Sequence, residues 1–166
     1  MKDFQEQTAV SLVALAFFVA GCGATVQAGP PKSLGDLKLL HALQGEEALQ
    51  EINRLHGKEV GGKDGYVAHY EKDGAVAMLY LAQASSTAEA AGRLKQMSER
   101  IERGESPFYH LKTSKRGEIT LYSALGQGQI HYFYQRDSSV VWLAVDAPVA
   151  MQALAALLER PKAVKE

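Results

Sequence analysis

The side chains in this 166-residue sequence best suited to metal or nucleophilic chemistry are five imidazoles and a single thiol. The histidines are His41, His56, His69, His110 and His131, and the thiol is Cys22. No two histidines have the HxxxH, HxH or HExxH spacing that brings two ligands to one ion along a helix or strand. His56, His110 and His131 fall at expected element ends or on strands near aromatics. If they converge in space they form a metal or haem site. If they do not, they are three separate surface or half-buried rings. No Ser/His/Asp triad stands out, and Glu46-Glu47 sit in the first turn of an expected helix, where the dipole accounts for them. Met78, Met97 and Met151 fall on expected core faces. No activated nucleophile or acid–base pair is visible, which points away from an enzyme.

The most distinctive local string is Gly126-Gln127-Gly128-Gln129, followed by His131-Tyr132-Phe133-Tyr134. A Gly-x-Gly can present backbone amides to an anion, but a phosphate loop opens a helix and this one joins two strands. A tight strand connection is the expectation. Strand alternation then sends Tyr132 and Tyr134 to one face and His131 and Phe133 to the other, so at least one set is core.

Cys22 closes an apolar run from Ala9 to Ala20, interrupted only by Ser11. The run is too short to span a bilayer, which takes about 20 apolar residues, but suits a signal-peptide core of about 7–15. It ends in Val19-Ala20-Gly21-Cys22, which resembles the bacterial lipobox. The n-region sets Lys2 against Asp3 and Glu6, short of the positive excess of that pattern. The resemblance implies cleavage before Cys22 and acylation (palmitate or a related chain) of its thiol and new amine. The expected organisation is a signal peptide at 1–21, a lipid-anchored linker at 22–36, one domain at 37–161 and a charged tail at 162–166. The expected location is the bacterial cell envelope, facing the periplasm or exterior, with the membrane as partner through Cys22.

Removal of residues 1–21 leaves 17 acidic and 17 basic residues, a formal balance of zero. Such a chain is a poor fit to nucleic acid. An envelope protein or a small ligand is the better expectation. With Cys22 acylated no thiol remains for a disulfide or a thiolate metal site.

The elements follow from periodicity. Helices are expected at Glu46 to His56, stopped by Gly57, from Ser86 to Gly104, and from Asp146 or Ala147 to Arg160-Pro161. The second has a capping-box start, Ser86 and Glu89, and an apolar stripe of Ala88, Ala91, Leu94, Met97 and Ile101. Glu99 is placed to pair with Arg103. Tyr66 to Glu71 and Ala75 to Ala82 read as a hairpin, and four more strands fall between Phe108 and Val145. AVAMLYLA and VVWLAV are apolar on both faces, as central strands are. Residues 67–82 and 131–146 align with an offset of 64, matching Tyr70, Asp73, Val76 and Leu79 to Tyr134, Asp137, Val140 and Leu143; an offset of 62 matches His69-Tyr70 to His131-Tyr132 instead. The fold class is α+β: an antiparallel sheet of five or six strands with about three helices, arranged as a duplicated hairpin-helix unit. Outside the lipobox, the segments at 55–58, 64–70 and 126–134 look similar to exported bacterial proteins of unknown function, a group that lends no activity.

Overall fold

The computed structural model describes residues 29–56 and 59–159. Cys22, the apolar run before it, Gly57 and Arg160-Pro161 lie outside the described residues. The elements are β1 (Ser33–Leu34), β2 (Leu37–Gln44), α1 (Gly45–His56), β3 (Asp64–Lys72), β4 (Ala75–Gln83), α2 (Thr87–Glu102), β5 (Tyr109–Arg116), β6 (Ile119–Gly126), β7 (Gln129–Arg136), β8 (Ser139–Val145), a 3₁₀ turn (Ala147–Val149) and α3 (Ala150–Leu158). One antiparallel sheet takes all eight strands in the order β1-β2-β3-β4-β8-β7-β6-β5. The α+β class and the three helices hold; the count of five or six strands does not. The missing strands are β1 and β2. β1 is two residues long, and β2 carries polar and apolar residues on one mixed pattern (LKLLHALQ). Neither gives a clean alternation to read.

The folded unit is engaged ahead of residue 37. Leu34 is buried, Tyr70 donates its hydroxyl to the Pro31 carbonyl at 2.9 Å, and the Leu39 amide bonds to the Lys32 carbonyl. A proline-bearing segment therefore lies beside β2, where missing amide donors protect a sheet edge.

The two apolar strands are indeed central, β4 against β8. Their register also decides between the two offsets. In the β3–β4 hairpin Asp64 faces Gln83 and Lys72 faces Ala75; in β7–β8 Ile130 faces Val145 and Arg136 faces Ser139. An offset of 64 maps one hairpin's pairing onto the other throughout, and Leu79 pairs directly with its counterpart Leu143. The sheet is pseudo-two-fold about that pair. α1 breaks this symmetry, inserted between β2 and β3 where β6 and β7 have a two-residue turn.

Side-chain parity splits the core in two. One face gathers Tyr66, Ala68, Tyr70, Leu79, Tyr132, Tyr134 and Leu143 under α3 and β1. The other packs Val67 under α1, and Phe133, Ala124 and Val140 under α2. Asp146 fixes where the chain leaves β8: its carboxylate accepts from the Val76 amide at 2.8 Å and from Gln129 Nε2 at 2.9 Å. α3 then runs along the first face. Its Gln152 lies against Gly35, and its C-terminal turn receives Arg136, which donates to the Leu157 carbonyl at 3.1 Å. Strand twist of about 20–25° per neighbour curls diagonally opposite corners of a wide sheet towards the same face, so the β1–β2 turn and the β5–β6 turn both flank α3.

α2 is held at both ends by local chemistry. Ser86 Oγ accepts from the Glu89 amide at 3.1 Å, as expected of a cap. The Glu89 carboxylate reaches Ser85 and not Ser86, taking its amide at 2.9 Å and its hydroxyl. Those two Ser85 bonds, joined by Arg93, hold the Glu89 carboxyl down to about 2. At the other end Gly104 adopts φ +70°, and the amides of Gly104 and Glu105 return to the carbonyls of Ile101 and Arg100, the Schellman arrangement. The buried stripe is Ala90, Leu94, Ser98 and Ile101; Ala88 and Ala91 are exposed. Glu99 pairs with Lys95, and Arg103 pairs with Glu105. Ser86→Ala should cost about 1 kcal/mol, read as a lower urea midpoint at unchanged slope. A midpoint shift within error would mean that the Glu89–Ser85 bonds alone suffice.

Candidate functional site

His131 stands in β7 beneath α2, 2% exposed, among Phe108, Phe133 and Trp142. Trp142 Nε1–H can only donate, and it lies 3.1 Å from His131 Nδ1. Nδ1 must therefore accept, so the ring carries its proton on Nε2 and donates it to the Gly126 carbonyl at 2.9 Å. The ring is neutral with both nitrogens engaged. Desolvation by burial lowers its pKa below the usual histidine value, against a smaller opposing pull from the Gly126 carbonyl. Protonation of Nδ1 would also turn an acceptor towards Trp142 into a second donor.

The aromatic wall around it is continuous. Tyr122 stacks on Phe133 at 5.1 Å and 13°, Phe133 stacks on Trp142 at 4.7 Å and 14°, and Phe108 meets His131 edge-on at 4.6 Å. Gly126 is required by close approach: a Cβ there would lie 2.5 Å from the Phe108 ring and 3.1 Å from the Pro107 carbonyl. The glycine string is thus a strand connection, with Gln127 and Gly128 at φ 51° and 79° in a type I′ turn.

The other two candidate histidines lie elsewhere. His56 ends α1 and is exposed, with Nδ1 donating to the Ile52 carbonyl at 2.8 Å. His110 is exposed on β5 beside Tyr109. The structure places the three on separate elements, and among the described residues no group of three His, Cys, Asp or Glu is arranged to hold a metal ion. The sequence names His131 but not its partners. Phe108, Gly126 and Trp142 come from three separate segments, and only the strand register juxtaposes them.

Two hollows open on the face that carries α3. The first, about 350 Å³, lies between Arg116-Gly117 and the flank of α3 formed by Met151, Leu154, Ala155 and Leu158. Met151 there is 66% exposed. The second, about 300 Å³, is bordered by His110, Lys112, Ser123, Leu125, Ile130 and Tyr132. No helix among the described residues is long and apolar enough to cross a membrane. No family model, no curated protein and no solved structure matches the chain.

Proposed function

We propose that this chain is an exported, lipid-anchored accessory or binding module of a bacterial cell envelope, non-enzymatic, with a protein partner or small ligand. The observation that carries this reading is an apolar run of signal-peptide length ending on the chain's only cysteine. Gly29, the first described residue, is seven positions beyond Cys22. Seven residues span at most about 25 Å when extended, so the anchor holds the β1–β2 edge close to the bilayer. The equal registers of the β3–β4 and β7–β8 hairpins support an origin by duplication of a hairpin unit. The following helices depart from it, since α2 and α3 pack on opposite faces.

The test is intact-mass analysis of the full chain produced in a bacterium and recovered from its membrane fraction. The expected species begins at Cys22 and carries a diacylglyceryl group, and Cys22→Ser leaves the membrane fraction. A chain whose Cys22 is unmodified overturns the anchor. The same preparation is analysed for metals and visible absorbance. A metal or haem at one per chain would replace this reading with a metal- or haem-binding protein using His56, His110 or His131. For His131 that exchange would require giving up at least one of its ring hydrogen bonds, the one from Trp142 if the metal takes Nδ1.

A further inference from the structure

We propose that the hollow beside β5 is a binding site for a small organic carboxylate with an apolar body. This rests on the binding-module reading above and names the ligand class, but it is independent of the lipid anchor. The first observation is a bulge. Tyr109 faces Leu125 while Lys112 faces Ser123, so His110 and Leu111 together oppose Ala124. His110 takes φ +54°, a left-handed conformation that non-glycine residues rarely adopt. The extra residue turns Leu111 inward against the α2 core and leaves His110 on the rim of the hollow with Lys112. Bulges beside sites re-aim side chains in this way.

The second observation is charge. His110, Lys112 and Ser123 supply the polar side chains of the lining, and no carboxylate lies among them. Among the described residues Lys112 makes no ion pair, in contrast to Lys72, Arg93, Lys95 and Arg103. A cation with hydrogen-bond donors beside it and no acid is complementary to an anion. The third observation is the apolar remainder. Leu125, 38% exposed, and its cross-strand neighbour Tyr109, 55% exposed, stand beside Ile130 and the Tyr132 ring. These are partly uncovered apolar surfaces at one end of the sheet, where the corner curls away from α3. An apolar body covers them while its carboxylate meets Lys112 and His110.

Saturation-transfer NMR on the full chain in detergent micelles, with benzoate as probe and benzyl alcohol as its neutral counterpart, tests the site. Benzoate should bind about tenfold more tightly than benzyl alcohol. Lys112→Ala should raise the benzoate Kd by about tenfold, and His110→Ala by a smaller factor. Lys115→Ala, on the opposite face and bonded to Thr120, should leave it unchanged. Far-ultraviolet circular dichroism confirms that each variant is folded. Equal binding of the two probes, no loss in Lys112→Ala, or an equal loss in Lys115→Ala overturns the proposal. A lipidated chain that ignores benzoate keeps its anchor and loses this site; an unlipidated chain that binds benzoate keeps the site.

Discussion

Phe133→Ala should destabilise the domain by about 3–5 kcal/mol, the range for emptying a fully buried aromatic position. Phe133 is wholly buried, sandwiched between Tyr122 and Trp142, and packed under Ala90 and Leu94 of α2. Removal of the ring strips three layers of contact at once, and the flanking rings are held by strands that cannot close the gap. A single domain of this size is stable by about 5–15 kcal/mol, so the loss is a large fraction of the total. At about 3–4 °C per kcal/mol the melting temperature should fall by about 10–20 °C. Phe133→Leu refills most of the volume and should cost less than half as much. If both variants melt within a few degrees of the unsubstituted chain, the ring is not a keystone of the α2 core.

His131→Ala should cost about 2–4 kcal/mol, from the lost ring volume together with two stranded polar groups. The Trp142 N–H loses its acceptor and the Gly126 carbonyl its donor, both beneath α2. The same ring ties stability to pH. Its pKa is lowered in the folded state, so below the unfolded value of about 6.5 the unfolded chain takes up a proton that the folded ring refuses. Stability is therefore full above that value and falls as pH falls towards the folded pKa. Urea midpoints between pH 8 and pH 5 should decline for the unsubstituted chain. The decline should be shallower for His131→Ala, which has no ring to titrate. Parallel pH profiles for the two chains would show that the imidazole is not neutral in the fold. A second acidic limb, below the ordinary carboxylate range, is shared by Glu89, whose carboxyl is held at about 2, and by Asp36, Glu51, Glu99 and Glu105, whose carboxyls are lowered by their own hydrogen-bond partners. It is separated from the histidine limb by its pH window.

Much of this architecture was legible in the residues themselves. The hairpin through Asp73-Gly74, the Ser86 cap, the Gly104 stop and the central strands all arise from interactions within a few residues, so local order encodes them. The alternation in His131-Tyr132-Phe133-Tyr134 is likewise a property of the strand, and the fold buries both sets. The apolar stripe of α2 was misplaced because Ala88 and Ala91 lie on the helix's outward side. Alanine is small enough to be indifferent to either environment, so its pattern carries little information. β1 is too short to show any alternation, and β2, which β1 covers only at its start, mixes polar and apolar residues without a period of two.

What only the tertiary structure decided is where distant residues meet. Cross-strand register places Trp142 against His131 and makes the imidazole a neutral, twice-bonded member of the core. A one-residue bulge, invisible in composition, turns His110 towards Lys112. The offset of 64 gains its meaning the same way: four matching letters are weak by themselves, but Leu79 pairing with Leu143 puts an axis through the sheet. Periodicity fixes which face a side chain takes, because that is set by the backbone two to four residues away. Which side chains share a site depends on pairings across as many as 70 residues of chain, as between Val76 and Asp146. Hydrogen-bond register and strand twist choose those partners, and neither is written in any one segment.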